Sequence, residues 1–405
     1  MKTILLIATL DTKGEEADYI RQAIERRGLG VLVLDPGMRG DVEAFPADIC
    51  RDDVARAGGS TYAEIQHMSH MQAEEVMIAG VARVAAESYA QRRFDGVIGI
   101  GGSDGTLIAT AAMRAIPFGV PKLMVSAMAC GNTRFGDYVG TKDVMILPSV
   151  ADFLGINEIT GKALDNAVGA IVGMVEADVN PEITSQNLVA VTMYGQTTPA
   201  GMAGRGLLEA AGFKPVAFHP NGVGGAAMEE FIGQGVFAGV WDLTTQELSD
   251  QLVMGQPSGG LTRLEAAGQR GLPQVVAPGC VDFVWGAPEA MAARFPDRLT
   301  YQFNPQVLLV KLRPDEVAGV ARRMAEKLNR AQGPTALALP LHGVSMFDAP
   351  GGALHDPDVN DALFDTLRSC VSGRVEMIEV EAHINDREFA ETCVARLIEM
   401  LVAGA

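Results

Sequence analysis

The sequence predicts an α/β protein of two Rossmann-like domains, each built on a doubly wound parallel sheet, with a cleft between them. Unbroken apolar runs alternate with amphipathic helical patterns along the 405 residues, and strands that are apolar throughout are typical of parallel sheets covered on both faces. The 46 glycines collect after apolar runs and before helical patterns, where α/β proteins turn beside ligands. The alternation pauses once, in the polar segment 178–187, and then restarts.

The first half is predicted to be a nucleotide-binding domain over residues 1–182. Strands are expected at 4–10, 31–34, 97–100, 123–125 and 144–147, and helices at about 15–27, 71–92, 107–116 and 161–176. The second half, residues 183–405, is predicted to be a second Rossmann-like domain. Its strands are expected at 188–193, 216–218, 236–240, 275–277, 307–311 and 336–339, and its helices begin near 200, 225, 315 and 387.

Charge and cysteine content exclude several classes of function. The 32 Lys and Arg against 50 Asp and Glu give a net charge of −18, which disfavours nucleic acid and anionic membranes as partners. One small anion could still bind through backbone N–H groups. Five scattered cysteines without a CxxC pair argue against structural zinc and a disulfide framework, and favour reduced thiols in the cytoplasm. No apolar run is long enough to span a membrane.

Two motifs of the first half are candidates for an anion site. Asp11, Thr12, Lys13 and Gly14 follow the first strand. A lysine at a helix N-terminus is best placed when an anion sits there, although Thr12 and Glu15 also have the spacing of a capping box. The second motif, Gly101-Gly102-Ser103-Asp104-Gly105-Thr106, joins a strand to a helix, where glycines let the backbone approach phosphate oxygens. A tight turn capped by Ser103 or Asp104 would have the same sequence.

A long polar loop, 126–143, supplies further candidates. Thr133 offers a hydroxyl donor and Lys142 a positive charge in a chain that is short of them. Loops of this length in compact domains are usually functional, although an exposed connection is an equal alternative. Mg²⁺ carried by a nucleotide needs only one or two carboxylates, and Asp104 and Asp143 are the candidates.

Polar loops in the second half offer candidate catalytic groups. His219 lies beside Gly224 and Gly225 between a strand and a helix, a second turn that could bind an anion. Asp242, Arg263 and His342 lie just after strands or in neighbouring loops, and could hold an acceptor substrate. Cys280 has no histidine motif to activate it. His67 and His70 are interpreted as residues of a helix surface.

Several sequence blocks together resemble a known family. They are ATLDTKGEE, GIGGSDGT, GNTRFGDYVGTKDV, HPNGVGGAAME, DLTTQEL and HGVS. They are similar, in this order, to the uncharacterised family typified by the N-terminal, ATP-binding half of the tomato tobamovirus-resistance protein (the Tm-1-like ATP-binding family). The resemblance implies two Rossmann-like domains, ATP binding and a tendency to form dimers. In the plant protein a region resembling a TIM barrel follows, so a separate TIM-barrel partner is implied here.

Three functions remain open from the sequence. In the first, ATP and Mg²⁺ bind the first-half loops, and a phosphoryl group passes to a small metabolite or to water, because phosphoryl transfer needs mainly positioning and cations. In the second, the protein is a nucleotide-responsive scaffold without turnover. In the third, His219 and His342 act without ATP on a small carboxylate or sugar acid.

Overall fold

The computed structural model describes residues 1–41, 44–129, 136–177, 179–183, 185–256 and 258–403. Its chain divides into two compact units, Met1–Glu182 (unit 1) and Ile183–Ala405 (unit 2). The division at Glu182 lies inside the polar segment in which the alternation of strands and helices pauses. No helix in these ranges is long and apolar enough to cross a membrane.

Unit 1 is built on a five-stranded sheet in which every pairing is parallel. The strands are β1 (Thr3–Ile7), β2 (Gly30–Leu34), β3 (Gly96–Gly101), β4 (Lys122–Ser126) and β5 (Met145–Pro148). Their order in the sheet is β2-β1-β3-β4-β5, so the winding direction reverses between β1 and β3. In open α/β sheets, ligands bind outside the carboxyl ends of the strands at such a switch point.

The apolar runs are continuous because both faces of this sheet are covered. Leu5 and Ile7 pack into the core on one face, and Ile4 and Leu6 pack into the core on the other. The helices are α1 (Leu10–Glu25), α2 (Arg51–Ala57), α3 (Tyr62–Ile65), α4 (His70–Ala90), α5 (Ser103–Arg114), α6 (Gly136–Val139) and α7 (Glu158–Glu176).

Unit 2 repeats the same winding with one more strand. Its parallel strands are β6 (Leu188–Thr192), β7 (Lys214–Phe218), β8 (Gly239–Thr244), β9 (Gln274–Gly279), β13 (Thr335–Pro340) and β14 (Glu376–Val380). The sheet order is β14-β13-β9-β8-β6-β7, so its switch point lies between β6 and β8. A small antiparallel sheet, β10 (Phe283–Gly286), β11 (Thr300–Asn304) and β12 (Val307–Lys311), is inserted between β9 and β13.

The helices of unit 2 cover both faces of its parallel sheet. They are α8 (Thr198–Ala210), α9 (Gly224–Gly233), α10 (Glu247–Ser249), α11 (Ala266–Gln269), α12 (Pro288–Arg294), α13 (Pro314–Leu328), α14 (Pro357–Cys370) and α15 (Arg387–Ala403), with a 3₁₀ turn at Gly195–Thr197 and a π-helical turn at Asp250–Met254. Leu337 and Leu339 face one core, whereas Ala336 and Ala338 face the other. The predicted fold class, two Rossmann-like parallel-sheet domains, is confirmed. The predicted strand at 307–311 exists, but it belongs to the small antiparallel sheet.

Candidate functional site

The carboxyl ends of β1 and β3 frame a pocket of about 410 Å³ at the switch point of unit 1. The loop after β1 and the glycine-rich turn after β3, which the sequence predicts as two parts of one anion site, both contribute to it. The lining residues are Thr9, Asp11, Thr12, Lys13, Met38, Arg39, His70, Gly102, Ser103, Asp104 and Gly105.

The two glycines at the end of β3 have different roles. A Cβ on Gly101 would lie 2.6 Å from the Gly105 Cα, so Gly101 is required for α5 to pack against the strand. A Cβ on Gly102 would meet nothing within 4 Å. Gly102 is the N-cap of α5, and no side chain caps this helix. The first backbone N–H groups of α5, with their partial positive charge, are therefore left open beside the pocket.

Two residues of the predicted cradle have structural roles instead. The Thr106 hydroxyl is buried and lies 2.7 Å from the Ser126 hydroxyl, so it is directed towards β4 and away from a ligand. A Cβ on Gly14 would lie 2.7 Å from the Ala44 Cβ, so Gly14 makes room for the loop after β2. The prediction that these two residues contact phosphate is not supported by their contacts.

The loop after β1 holds Lys13 at the pocket. Helix α1 begins at Leu10, with Thr9 as its N-cap, and Lys13 interrupts it with non-helical backbone angles of φ −127° and ψ 24°. The Lys13 ammonium donates to the Phe153 carbonyl at 2.7 Å, which uses one of its three donors. The alternative of a capping box between Thr12 and Glu15 is wrong, because the N-cap of the helix is Thr9 and the Glu15 carboxylate accepts from the Ile156 N–H.

Charged groups of both signs surround this pocket. Burial raises the pKa of the Asp11 carboxyl, and the Arg51 guanidinium opposes that shift. Arg39, which the sequence analysis missed, also lines the pocket and donates to the Gln66 carbonyl at 2.7 Å and the Met68 carbonyl at 3.0 Å. These bonds tie the loop after β2 to the segment that precedes α4.

His70 and Glu74, one turn apart on α4, meet Asp104 of α5. The His70 Nε2 lies 3.2 Å from an Asp104 carboxylate oxygen, and the ligand atoms of all three residues lie within 4.8 Å of one another. Burial and the neighbouring Asp104 charge raise the pKa of Glu74. Asp104 was predicted as a metal ligand, whereas His70 and Glu74 were not. The His-x-x-x-Glu spacing was the signal that could have found them.

Lys142 and Asp143 lie at the opposite edge of the sheet from this pocket. They precede β5 and so lie at its amino end. Asp143 accepts from the Lys122 ammonium and from the Gly119 N–H, both at 2.9 Å. Strands of 4 to 6 residues separate the two edges by roughly 13–20 Å. The predicted roles of these two residues beside the nucleotide are therefore wrong. Thr133 lies outside the described residues.

In unit 2, Arg263 and Asp242 form a buried ion pair. The guanidinium donates to both Asp242 carboxylate oxygens, at 2.5 and 2.7 Å, to Glu247 at 2.7 Å and to Glu229 at 3.3 Å. Burial alone would lower the pKa of Arg263, but the three carboxylates raise it well above its ordinary value. Because Arg263 is fully buried, its contacts are structural, and its predicted catalytic role is not supported.

Glu247 occupies the second glycine-rich turn. Its carboxylate accepts from the Gly222 N–H at 2.7 Å and from the Gly225 N–H at 3.3 Å. A Cβ on Gly225 would lie 1.8 Å from a Glu247 oxygen, and one on Gly224 would lie 2.0 Å from the His219 carbonyl. Gly225 therefore makes room for the chain's own anion and Gly224 for the His219 backbone, and the turn is not open to a phosphate.

His219 and His342 are too far apart to act on one reacting atom. They follow β7 and β13, between which three strands lie in the sheet, so about 19 Å separates the strands. The His219 ring stacks on Tyr194 with ring centroids 4.7 Å apart. The His342 Nε2 lies 3.2 Å from the exposed Glu381 carboxylate. This spacing does not favour joint action of the two histidines on one small substrate, and that role stays a prediction.

A second buried cation lies near Cys280. The Lys311 ammonium donates to Asp282 at 2.9 Å and to Asp348 at 2.8 Å. Burial, followed by the charges of Asp282 and Asp348, raises the pKa of the Cys280 thiol well above its ordinary value. A thiol that stays protonated is a poor nucleophile.

The fold and these sites define a two-domain α/β protein with an open pocket at the switch point of unit 1. The N-terminal domain of an uncharacterised protein family (UPF0261) matches residues 2–180, and the C-terminal domain of that family matches residues 186–401. The chain therefore belongs to the UPF0261 family.

Relatives extend over the whole chain. A UPF0261 protein of Clostridium tetani is 41% identical over 99% of both chains, and one of Rhizobium meliloti is 37% identical over 98% of both. The ToMV susceptible protein tm-1(GCR26) of Solanum lycopersicum is 32% identical over 98% of this chain and 55% of its own length. The resemblance to the tomato protein is thereby supported at the level of sequence.

Solved structures show only distant similarity. A monoacylglycerol lipase of Paleococcus ferrophilus is 15% identical over 54% of this chain and 94% of its own, with a TM-score of 0.30. A UDP-GlcNAc 2-epimerase of Methanocaldococcus jannaschii is 8% identical over 99% and 93%, with a TM-score of 0.24. Similarity at this level supports no functional inference.

Proposed function

We propose that unit 1 binds ATP through its phosphates in the pocket between β1 and β3. One observation carries the proposal: the uncapped N-terminus of α5, with Gly102 facing open space, lies at the switch point of a parallel sheet. Backbone N–H groups and the helix dipole favour an anion at this position. The resemblance to the Tm-1-like family supports ATP as the particular anion.

The groups around the pocket would have different roles in binding ATP. The α5 N-terminus would receive phosphate oxygens, and Lys13 and Arg39 would supply positive charge beside them. Asp11 and Asp104 would repel a bare phosphate, so a divalent cation such as Mg²⁺ is required between carboxylate and phosphate. The Asp35 carboxylate after β2 would be unavailable to a ribose, because it is buried and one of its oxygens lies 2.7 Å from an Arg51 guanidinium nitrogen.

The proposal is for binding rather than for phosphoryl transfer. The predicted acceptor-side groups of unit 2 are either bonded to one another, as Asp242 and Arg263 are, or lie on distant strands. Transfer or hydrolysis of phosphate therefore stays a prediction, as do dimer formation and a separate TIM-barrel partner. A nucleotide-responsive scaffold without turnover needs only the pocket in unit 1.

The test is calorimetric titration of ATP with Mg²⁺ into the wild-type chain and two valine variants. The Gly102→Val side chain would project into the open space over the α5 N-terminus and exclude phosphate. Loss of one or two charge-assisted hydrogen bonds corresponds to a decrease in affinity of about 10- to 100-fold. Gly169→Val is the matched control, because Gly169 lies exposed on α7 with open space around its Cβ position.

Two results would contradict the proposal: no saturable binding of millimolar ATP by the wild type, or equal affinity in Gly102→Val and Gly169→Val. Phosphate release, followed in the same samples with and without small-molecule acceptors, separates the two classes of function. Binding without consumption of ATP favours the scaffold, and steady release favours an ATPase or a phosphotransferase.

A further inference from the structure

We infer that His70, Glu74 and Asp104 form a binding site for a divalent transition-metal ion, beside the nucleotide pocket of unit 1. The inference rests on the proposed nucleotide site only for the group that completes the coordination. The protein ligands themselves come from two helices that meet at the pocket.

The geometry brings three ligand atoms of suitable chemistry together. One nitrogen and two carboxylate oxygens lie within 4.8 Å of one another. Atoms bound to one ion at ~2.1 Å can be at most ~4.2 Å apart, so small rotations of exposed side chains close the site. His70 and Asp104 are 61% and 41% exposed, and they can make these rotations.

Local hydrogen bonds order the N-terminus of α4, where His70 lies. Ser69 caps α4, because its hydroxyl accepts from the Gln72 N–H and the Gln72 side chain accepts from the Ser69 N–H at 3.2 Å. Arg39 binds the carbonyls of Gln66 and Met68. His70 is the first residue of the helix and lies beside these bonds, and α4 packs with α5 in the same apolar core.

The ligand set selects the class of metal. Mg²⁺ prefers oxygen ligands in a strict octahedron, whereas imidazole suits Fe²⁺, Ni²⁺, Cu²⁺ and Zn²⁺, and the affinity of a mixed nitrogen and oxygen site rises from Mn²⁺ to Cu²⁺. Three protein ligands leave coordination positions open for water or for a phosphate oxygen. A transition metal held by these three residues would supply positive charge beside the phosphates that we propose at the α5 N-terminus.

The test measures Mn²⁺ binding to the full chain without nucleotide, from the electron paramagnetic resonance signal of free Mn²⁺, with Mg²⁺ as competitor. We expect one site per chain that prefers Mn²⁺ to Mg²⁺ by about tenfold or more. His70→Ala should weaken Mn²⁺ binding by at least about tenfold, since even outer partners of a ligand change affinity by about 10–100-fold. Mg²⁺ affinity should change much less in the same variant.

His67→Ala is the matched control, because His67 is also exposed and lies three residues before His70. It separates the site from weak binding at the many surface carboxylates of a chain with a charge of −18. Equal Mn²⁺ binding by His70→Ala and His67→Ala, or no preference for Mn²⁺ in the wild type, would overturn the inference. Glu74→Gln gives a second, independent check on a side chain at the helix surface.

The outcomes also distinguish this inference from the proposed function. Mn²⁺ binding that depends on His70 in a chain that fails to bind ATP leaves the metal site standing alone. ATP binding with Mg²⁺, together with Mn²⁺ binding that does not depend on His70, supports the nucleotide pocket and removes the metal site.

Discussion

The third strand of each parallel sheet ends in a different way, although the two sheets have the same winding order. In unit 1, β3 ends in Gly101 and Gly102, and the α5 N-terminus lies open beside a pocket. In unit 2, Glu247 follows β8, and its carboxylate accepts from the Gly222 and Gly225 N–H groups of the glycine-rich turn after β7 and pairs with Arg263. A glycine-rich turn therefore indicates room for an anion, but the anion can be the chain's own.

The difference between the units is electrostatic as well as steric. Arg263 is fully buried and is surrounded by three carboxylates, so these charges of unit 2 are paired with one another in the interior. In unit 1, the charges of Lys13, Arg39 and Asp104 at the carboxyl ends of the strands all border a pocket.

Both tryptophans of the chain, Trp241 and Trp285, lie in unit 2, so tryptophan fluorescence reports the unfolding of that unit.

The largest expected change in the free energy of unfolding follows from removal of the buried Arg263 guanidinium. Arg263→Met leaves Asp242, Glu229 and Glu247 buried without their counter-charge, and breaking such a pair costs about 3–5 kcal/mol. Urea unfolding followed by tryptophan fluorescence measures the change. Arg205→Met, which removes an exposed pair with Glu209, is the control and should cost less than about 0.5 kcal/mol. A loss below about 1 kcal/mol for Arg263→Met would contradict the structural role.

Removal of the internal anion should convert the unit 2 turn into an open one. Glu247→Ala leaves the N–H groups of Gly222 and Gly225 without this partner and removes one of the three carboxylates around Arg263, at a cost of about 1–3 kcal/mol or more. Inorganic phosphate should recover part of this loss by binding the vacated N–H groups beside Arg263. The measurement is the fluorescence-detected melting temperature with phosphate or with chloride of equal ionic strength. If phosphate raised the melting temperature of the wild type by the same amount, the difference between an open turn in unit 1 and an occupied turn in unit 2 would be contradicted.

A pH-dependent effect should come from Asp250, which is buried in unit 2. Burial raises its pKa to about 7, against hydrogen bonds from Gln246 and Ser258 that lower it. The folded state therefore holds this proton more tightly than the unfolded state, whose carboxyl has a pKa near ~4. The contribution is present below about pH 4 and is lost as the pH rises through about 7.

Asp250→Asn should therefore flatten the decline in the free energy of unfolding between about pH 4 and pH 7. The measurement is urea unfolding at several pH values with fluorescence detection. Asp361→Asn, at an exposed position on α14, is the control and should keep the slope of the wild type. Parallel curves for Asp250→Asn and the wild type would show that this carboxyl does not contribute.

The smallest effect is expected at His342. Its contact with Glu381 is exposed, with 53% and 81% of the side chains accessible, and such pairs contribute about 0–1 kcal/mol. His342→Ala should therefore change the fluorescence-detected unfolding of unit 2 by less than about 0.5 kcal/mol, and ATP binding not at all. A large decrease in the free energy of unfolding or in ATP affinity would indicate a role for His342 beyond this surface contact.

The sequence predicted best what depends on neighbours along the chain. Gly101 and Gly102 were placed between a strand and a helix because the apolar run and the helical pattern adjoin them. Lys142 and Asp143 were placed wrongly because a long loop passes from the carboxyl end of one strand to the amino end of the next, and composition does not show where it crosses. His70 was missed because its partner Asp104 lies 34 positions further along the sequence.

By itself, the sequence determined the two parallel sheets, their glycine-rich turns and the excess of negative charge, because periodicity and backbone freedom are local properties. Only the tertiary structure decided which turn is open. Arg263 and Glu247 come from separate loops, and their pairing in the interior depends on how those loops pack over the sheet. Burial raises the cost of an unpaired charge, so packing closes the turn in unit 2 with Glu247 and leaves the α5 N-terminus of unit 1 beside an open pocket.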